Sequence, residues 1–218
     1  MSWVGASRLQ TRGEELANSI SHGVGFVASA VASPFLILRA VRLAEPAFIV
    51  GACVFSATML LLYLASTFYH ALPMGRAKRI FWIIEHSAIF LLIAGTYTPF
   101  TLTVLPDEWG WSMLAMVWAL AVAGIALKTL GRLSHPVASA SLYLVMGWLV
   151  LIAIDPLMEQ LHPAGLAWLL AGGICYTVGV LFFVTDALLR YGHFIWHLFV
   201  IAGTSCHFVA VYRYAVAV

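Results

Sequence analysis

The stretch IFWIIEHSAIFLLIAGTYTPFTLTVL, residues 80–105, decides the fold. A helix needs about 20 apolar residues to cross the hydrocarbon core of a bilayer, and this run is long enough. Its sole charged residue is Glu85. Backbone polar groups in lipid have no water to bond, so a spanning segment of this length reads as a helix. An acid inside such a helix is costly and usually marks function.

Working outward, six further stretches qualify: Asn18–Leu38, Pro46–Tyr69, Gly110–Leu127, Pro136–Ile154, Ala164–Val184 and Phe194–Tyr212. The breaks between them carry proline, charge or both, as at Arg42/Glu45/Pro46 and Pro106/Asp107/Glu108. The composition agrees: 63% hydrophobic and 9% charged, with mean hydropathy +0.98, where soluble domains carry about 25% charged residues. The expectation is an all-α, multi-pass membrane protein, a seven-helix bundle in one domain over residues 1–218. The N-terminal segment lacks a small-residue cleavage site after a short apolar core, so no cleaved leader is expected. The eleven Lys and Arg are scattered, which argues against nucleic acid as a partner.

With the N-terminus inside, Arg8, Arg12, Arg76, Lys78, Arg79, Lys128, Arg132 and Arg190 fall on the inner side. Arg39, Arg42 and Arg213 fall outside. The positive-inside rule therefore predicts a cytoplasmic N-terminus and an external C-terminus. Cys53, Cys175 and Cys206 lie in apolar runs and read as small buried hydrophobes. Ala171, Gly172, Gly173 and Gly179 in the sixth span read as close-packing positions.

This topology brings several polar residues to one depth. His70 ends the second span, Glu85 lies about one turn into the third, and His193 and His197 begin the seventh. His193 and His197 are spaced i, i+4 on one helix face, so both imidazoles can bind one ion. With His70 as a third nitrogen ligand, a fourth position stays open, the pattern of a catalytic zinc. Glu85 is then placed to hold or deprotonate a water there, and Ser66, one turn from His70, to bond the water or a neighbouring group. Glu15, Asn18 and His22 form a further polar cluster at the same depth, for which helix capping and interfacial solvation are the competing reading. His207 lies about 15 Å further along the last helix and reads as a satisfied core histidine. Asp107, Glu108, Asp155, Glu159 and Asp186 read as solvated loop charges.

At these positions the chain resembles the hemolysin III group of bacterial membrane proteins and the related progestin and adiponectin (PAQR) receptors. The motifs are ELANSISH (15–22), STFYH (66–70), EHSAIFLLIAGTYTPF (85–100), YLVMGW (143–148) and HFIWHLF (193–199). The resemblance covers nearly the whole chain. It implies seven helices with the N-terminus cytoplasmic and a Zn2+ on that side, in a bacterial plasma membrane. It places the zinc ligands on His70, His193 and His197, the water-contacting acid on Glu85 and the second-span serine on Ser66. Ceramide-cleaving hydrolases in the wider superfamily imply a membrane lipid, ceramide-like or N-acylated, as partner, cleaved at its amide in the service of lipid homeostasis. One departure is that the family usually has Asp where Glu85 stands. The longer acid could reach the water or bind zinc itself. A non-enzymatic sensor with a structural zinc is the alternative, and a cytolytic or channel-forming protein a second one, which would need a continuous polar path.

Overall fold

Thr11 starts the first helix. Its hydroxyl accepts from the Glu14 backbone N–H while the Glu14 carboxylate accepts from the Thr11 N–H, a reciprocal capping box. In the computed structural model, which describes Arg8, residues 10–133 and residues 135–216, α1 runs Arg12–Leu43 and stops where Ala44 turns left-handed (φ 54°). Proline at the first helical turn, where a missing N–H costs nothing, opens α2 (Pro46–Ala71), α5 (Pro136–Gly147) and α7 (Pro163–Val184). The remaining long helices are α3 (Arg76–Thr103), α4 (Asp107–Thr129) and α8 (Gly192–Tyr214).

Among the described residues seven helical segments are long and apolar enough to cross a membrane. They start before and end after most of the apolar stretches, because capping residues and charged turns extend the helices past the hydrocarbon-like part. Outward-facing side chains such as Val24, Val31, Phe35, Val122 and Leu181 are exposed and apolar, as a lipid-facing surface requires.

The fifth span departs from the expectation of one continuous helix. It breaks after Gly147 into a 3-10 turn, Leu149–Ala153, and resumes as α6, Ile154–Gln160. Three backbone groups at the break converge on one side chain, whose single hydroxyl proton is shared between two carbonyls. Tyr97 Oη donates to the carbonyls of Met146 (3.0 Å) and Gly147 (2.8 Å) and accepts from the Val150 N–H (2.9 Å). Irregular backbone at membrane depth is tolerated where it is buried or lines a cavity, and this break does line one.

Helix α2 packs between α1 and α3, and α8 packs against α7 and α1. Small residues set the closest approaches. A Cβ on Gly51 would come within 2.6 Å of the Pro99 Cα, and one on Gly179 within 2.8 Å of the Trp196 ring. Phe48, Phe55, Tyr63 and Phe90 fill the interior. Of the cysteines, Cys53 is exposed on the outer surface of α2 and Cys175 and Cys206 are half-buried, so burial does not explain Cys53. Cys53 lies on the outward face of α2 with Val50, Leu61 and Leu64, where a small hydrophobe is equally suited.

Candidate metal centre

Because α2 descends while α1, α3 and α8 begin at the same end of the bundle, the end of α2 and the starts of the other three converge. His70, Glu85, His193 and His197 each offer a ligand-type atom there, all within 4.8 Å of one another. The three imidazole centroids are nearly equidistant: 5.1 Å for His70–His193, 5.0 Å for His70–His197 and 4.8 Å for His193–His197. His70, Glu85 and His197 are buried.

Each ring is oriented through Nδ1. His70 Nδ1–H donates to Glu15 Oε2 at 2.8 Å. His193 Nδ1–H donates to Asp186 Oδ2 at 3.1 Å. His197 Nδ1–H donates to the Asn18 carbonyl at 3.2 Å, with Ser21 Oγ at 3.1 Å. A ring nitrogen that donates leaves the lone pair on the other one, so all three Nε2 atoms are left as ligands. His70 Nε2 is buried without a hydrogen-bond partner. Carboxylate or carbonyl bonds to the non-ligating nitrogen are the usual support of metal-bound histidine. The donor set therefore fits zinc, which takes His nitrogen at about 2.0–2.1 Å. On a tetrahedral ion at that distance two ligands lie about 3.4 Å apart, so atoms spaced by up to 4.8 Å must draw in by as much as roughly 1.4 Å on binding.

Glu85 sits beside this set. Its Oε1 accepts from Ser66 Oγ at 2.6 Å and lies 3.6 Å from His70 Nε2. Its Oε2 lies 3.6 Å from His86 Nδ1, which itself donates to the Trp82 carbonyl. Ser66 thus bonds Glu85 rather than its own backbone.

The capping reading of Glu15, Asn18 and His22 does not hold. The helix starts at Arg12, capped by Thr11 and Glu14, which leaves these three inside it and facing the site. Glu15 bridges His70 and Lys78, with Lys78 Nζ 2.9 Å from Oε1. Asn18 Nδ2 donates to Gln10 Oε1 at 2.7 Å. His22 stacks flat on His197, centroids 3.5 Å apart at 6°, and both of its nitrogens are buried without a partner.

Asp186 is not the solvated loop charge that the sequence predicts, because its carboxylate pairs with His193. The α7–α8 loop turns left-handed at Tyr191 (φ 60°), bringing the carboxylate back onto His193. Glu14 holds that loop by accepting from the Tyr191 N–H at 2.9 Å, and it also pairs with Arg8 at 2.5 Å. That bond raises the Arg8 guanidinium above its ordinary pKa. Asp186 had one legible signal: an acid seven residues before His193 in the short loop leading to it. Lys78 had none beyond its charge. His207 is only half satisfied: Nε2–H donates to the Leu169 carbonyl at 3.2 Å, and Nδ1 is buried without a partner.

An apolar cavity opens from the cluster, lined by Glu85, His22 and His197 at one end and by Ile89, Leu92, Tyr143, Leu144, Val180 and Val200 beyond.

Residues 10–208 match the family described as Haemolysin-III related. Hemolysin-3 of Bacillus cereus is 44% identical over 92% of this chain and 91% of that protein. The Hemolysin-3 homolog of Bacillus subtilis is 43% identical over 94% and 96%. Human monocyte to macrophage differentiation factor is 26% identical over 92% and 84%. The chain is a multi-pass membrane protein that belongs to the haemolysin-III-related family.

Proposed function

We propose that the chain is a zinc hydrolase of the plasma membrane that cleaves an amide bond of a membrane lipid at the cytoplasmic end of the bundle. The observation that carries the reading is the trio of imidazoles, each oriented through Nδ1, facing a carboxylate at the mouth of an apolar cavity. His70, His193 and His197 would hold the ion, which when bound supplies Lewis-acid activation of a carbonyl and of water. Glu85 accepts the water's proton and passes it to the leaving amine, with Ser66 fixing the carboxylate by its bond to Oε1. The cavity takes an acyl chain and excludes bulk water from the reacting end.

Purified protein should carry about one zinc per chain, lost in a His193→Ala/His197→Ala variant. Glu85→Gln should cut turnover of a ceramide-like or N-acyl lipid while retaining the metal. No metal in folded wild-type protein supplied with zinc would sink the reading.

One observation favours a structural zinc in a non-enzymatic regulator. Glu85 belongs to the same compact group as the histidines, and as a fourth ligand it would close the position that catalysis needs. In that case Glu85→Gln loses metal, and the zinc-loaded wild type cleaves no lipid. The names of the Bacillus proteins suggest lysis, but the mainly apolar walls of the cavity argue against a polar path. Dye release from liposomes would reverse that ranking.

A further inference from the structure

A second apolar cavity lies next to the one at the histidine cluster, among Phe100, Leu105, Met113, Leu157 and Leu166. The two meet at a waist whose walls they share: Thr96, Tyr97, Gly147, Trp148, Gly173 and His207. Apolar chambers thus lie on both sides of a polar ring.

Nearly every polar group in that ring is committed. Thr96 Oγ donates to the Leu92 carbonyl, Tyr97 Oη serves the break in the fifth span, and Trp148 Nε1 donates to Thr177 Oγ at 3.0 Å. His207 differs. Its Nε2–H is used on the Leu169 carbonyl, which leaves Nδ1 as an acceptor, buried and without a donor. Tyr176, with its ring centroid 5.4 Å away, does not supply one, because its hydroxyl is paired with Thr204 Oγ at 2.7 Å. The ring is fixed in place by Gly172, where a Cβ would come within 2.3 Å of it. A buried acceptor left unpaired is unfavourable, and a hydrogen-bond donor brought to it gains accordingly.

We propose that this waist is a second recognition point for the lipid: His207 accepts a hydrogen bond from a hydroxyl on the acyl chain. The site would then prefer a chain hydroxylated far from its carbonyl over a plain saturated one. This rests on the reading of the cavity as an acyl-chain site. Methylenes offer Nδ1 nothing, whereas a chain hydroxyl is a donor that arrives already inside the apolar cavity. The depth follows from the helix. His207 lies about 15 Å beyond His197 at 1.5 Å per residue, so the hydroxyl belongs well down the chain and not beside the carbonyl.

The test is displacement of a fluorescent fatty acid from the full-length purified protein by stearic, 3-hydroxystearic and 12-hydroxystearic acids. One net hydrogen bond predicts that the 12-hydroxy acid displaces at about two- to tenfold lower concentration than stearic acid, with the 3-hydroxy acid behaving like stearic. In His207→Leu the preference should vanish while stearic affinity is kept. Equal displacement by the 12-hydroxy and plain acids on the wild type, or a preference that survives in the variant, overturns the waist and leaves the acyl cavity standing. Failure of all three acids to displace overturns both. Should the leucine variant not fold, the dependence on hydroxyl position in the wild type decides the question alone.

Discussion

At the end where α1, α2, α3 and α8 converge, each candidate ligand is held by a polar partner: Glu15, Asp186 and the Asn18 carbonyl each hold one imidazole, and Ser66 holds Glu85, while His70 Nε2 and both nitrogens of His22 are buried and unpaired. Around α5, α6 and α7 the organisation differs. The helix is broken, the space between elements is apolar and unfilled, and the break itself is tied to its neighbours through Tyr97 and Trp148. The first region trades polar cost for fixed geometry, as a site that must hold an ion requires. The second trades packing for room and for the ability to yield. The proposed lipid substrate would need both, at opposite ends of one cavity.

The contrast predicts where mutations bite. The largest effect should come from removing a support in the matched region. Asp186→Ala leaves His193 free to rotate and should weaken zinc binding by about 10- to 100-fold, read by competition with a chelator. His193 itself is untouched, and thermal stability without metal should barely change. If affinity holds, Asp186 is only a loop charge and the matched network is smaller than drawn.

That residue also marks how far the sequence could be read. Span number followed from hydrophobic length alone, since lipid admits no other reading of such runs. The depth agreement of His70, Glu85, His193 and His197 followed from alternating direction. The role of Asp186 did not, because it depends on a left-handed turn at Tyr191 that no periodicity announces. The true start of α1 was legible in principle: Thr11-Arg-Gly-Glu14 is a capping-box pattern, and reading it would have put Glu15, Asn18 and His22 inside the helix instead of at its cap. The break in the fifth span was hidden for a different reason. Residues 143–154 are apolar or small throughout, and its partner, Tyr97, is on another helix.

A middle-sized effect is expected from the packing that holds the matched region rigid. Gly51→Ala drives a methyl group against the Pro99 backbone, 2.6 Å from its Cα. Backbone cannot step aside as a side-chain tip can, so α2 and α3 must separate. Overpacking of this kind costs about 1–3 kcal/mol, measurable as a lower melting temperature in detergent. Gly147→Ala is the control from the loose region, because a Cβ there meets nothing within 4 Å. It should be tolerated far better, and equal losses at both glycines would erase the distinction between the two halves.

The smallest effect sharpens the comparison most. Trp148 Nε1 donates to Thr177 Oγ, and this bond ties the break in the fifth span to α7. Thr177→Val keeps the shape and removes the acceptor. Interhelical hydrogen bonds inside membranes are worth about 0.6 kcal/mol on average, so global stability should hardly move. Local opening should move, because few other bonds hold this segment. Hydrogen exchange at residues 147–153 should rise about threefold while the amides around His70 and His197 stay protected. Exchange rising equally at both ends would mean that the bundle opens as one unit. Exchange rising only at the break would identify it as the yielding wall of the cavity, held shut by the single tyrosine that caps its carbonyls and the single indole that crosses to α7.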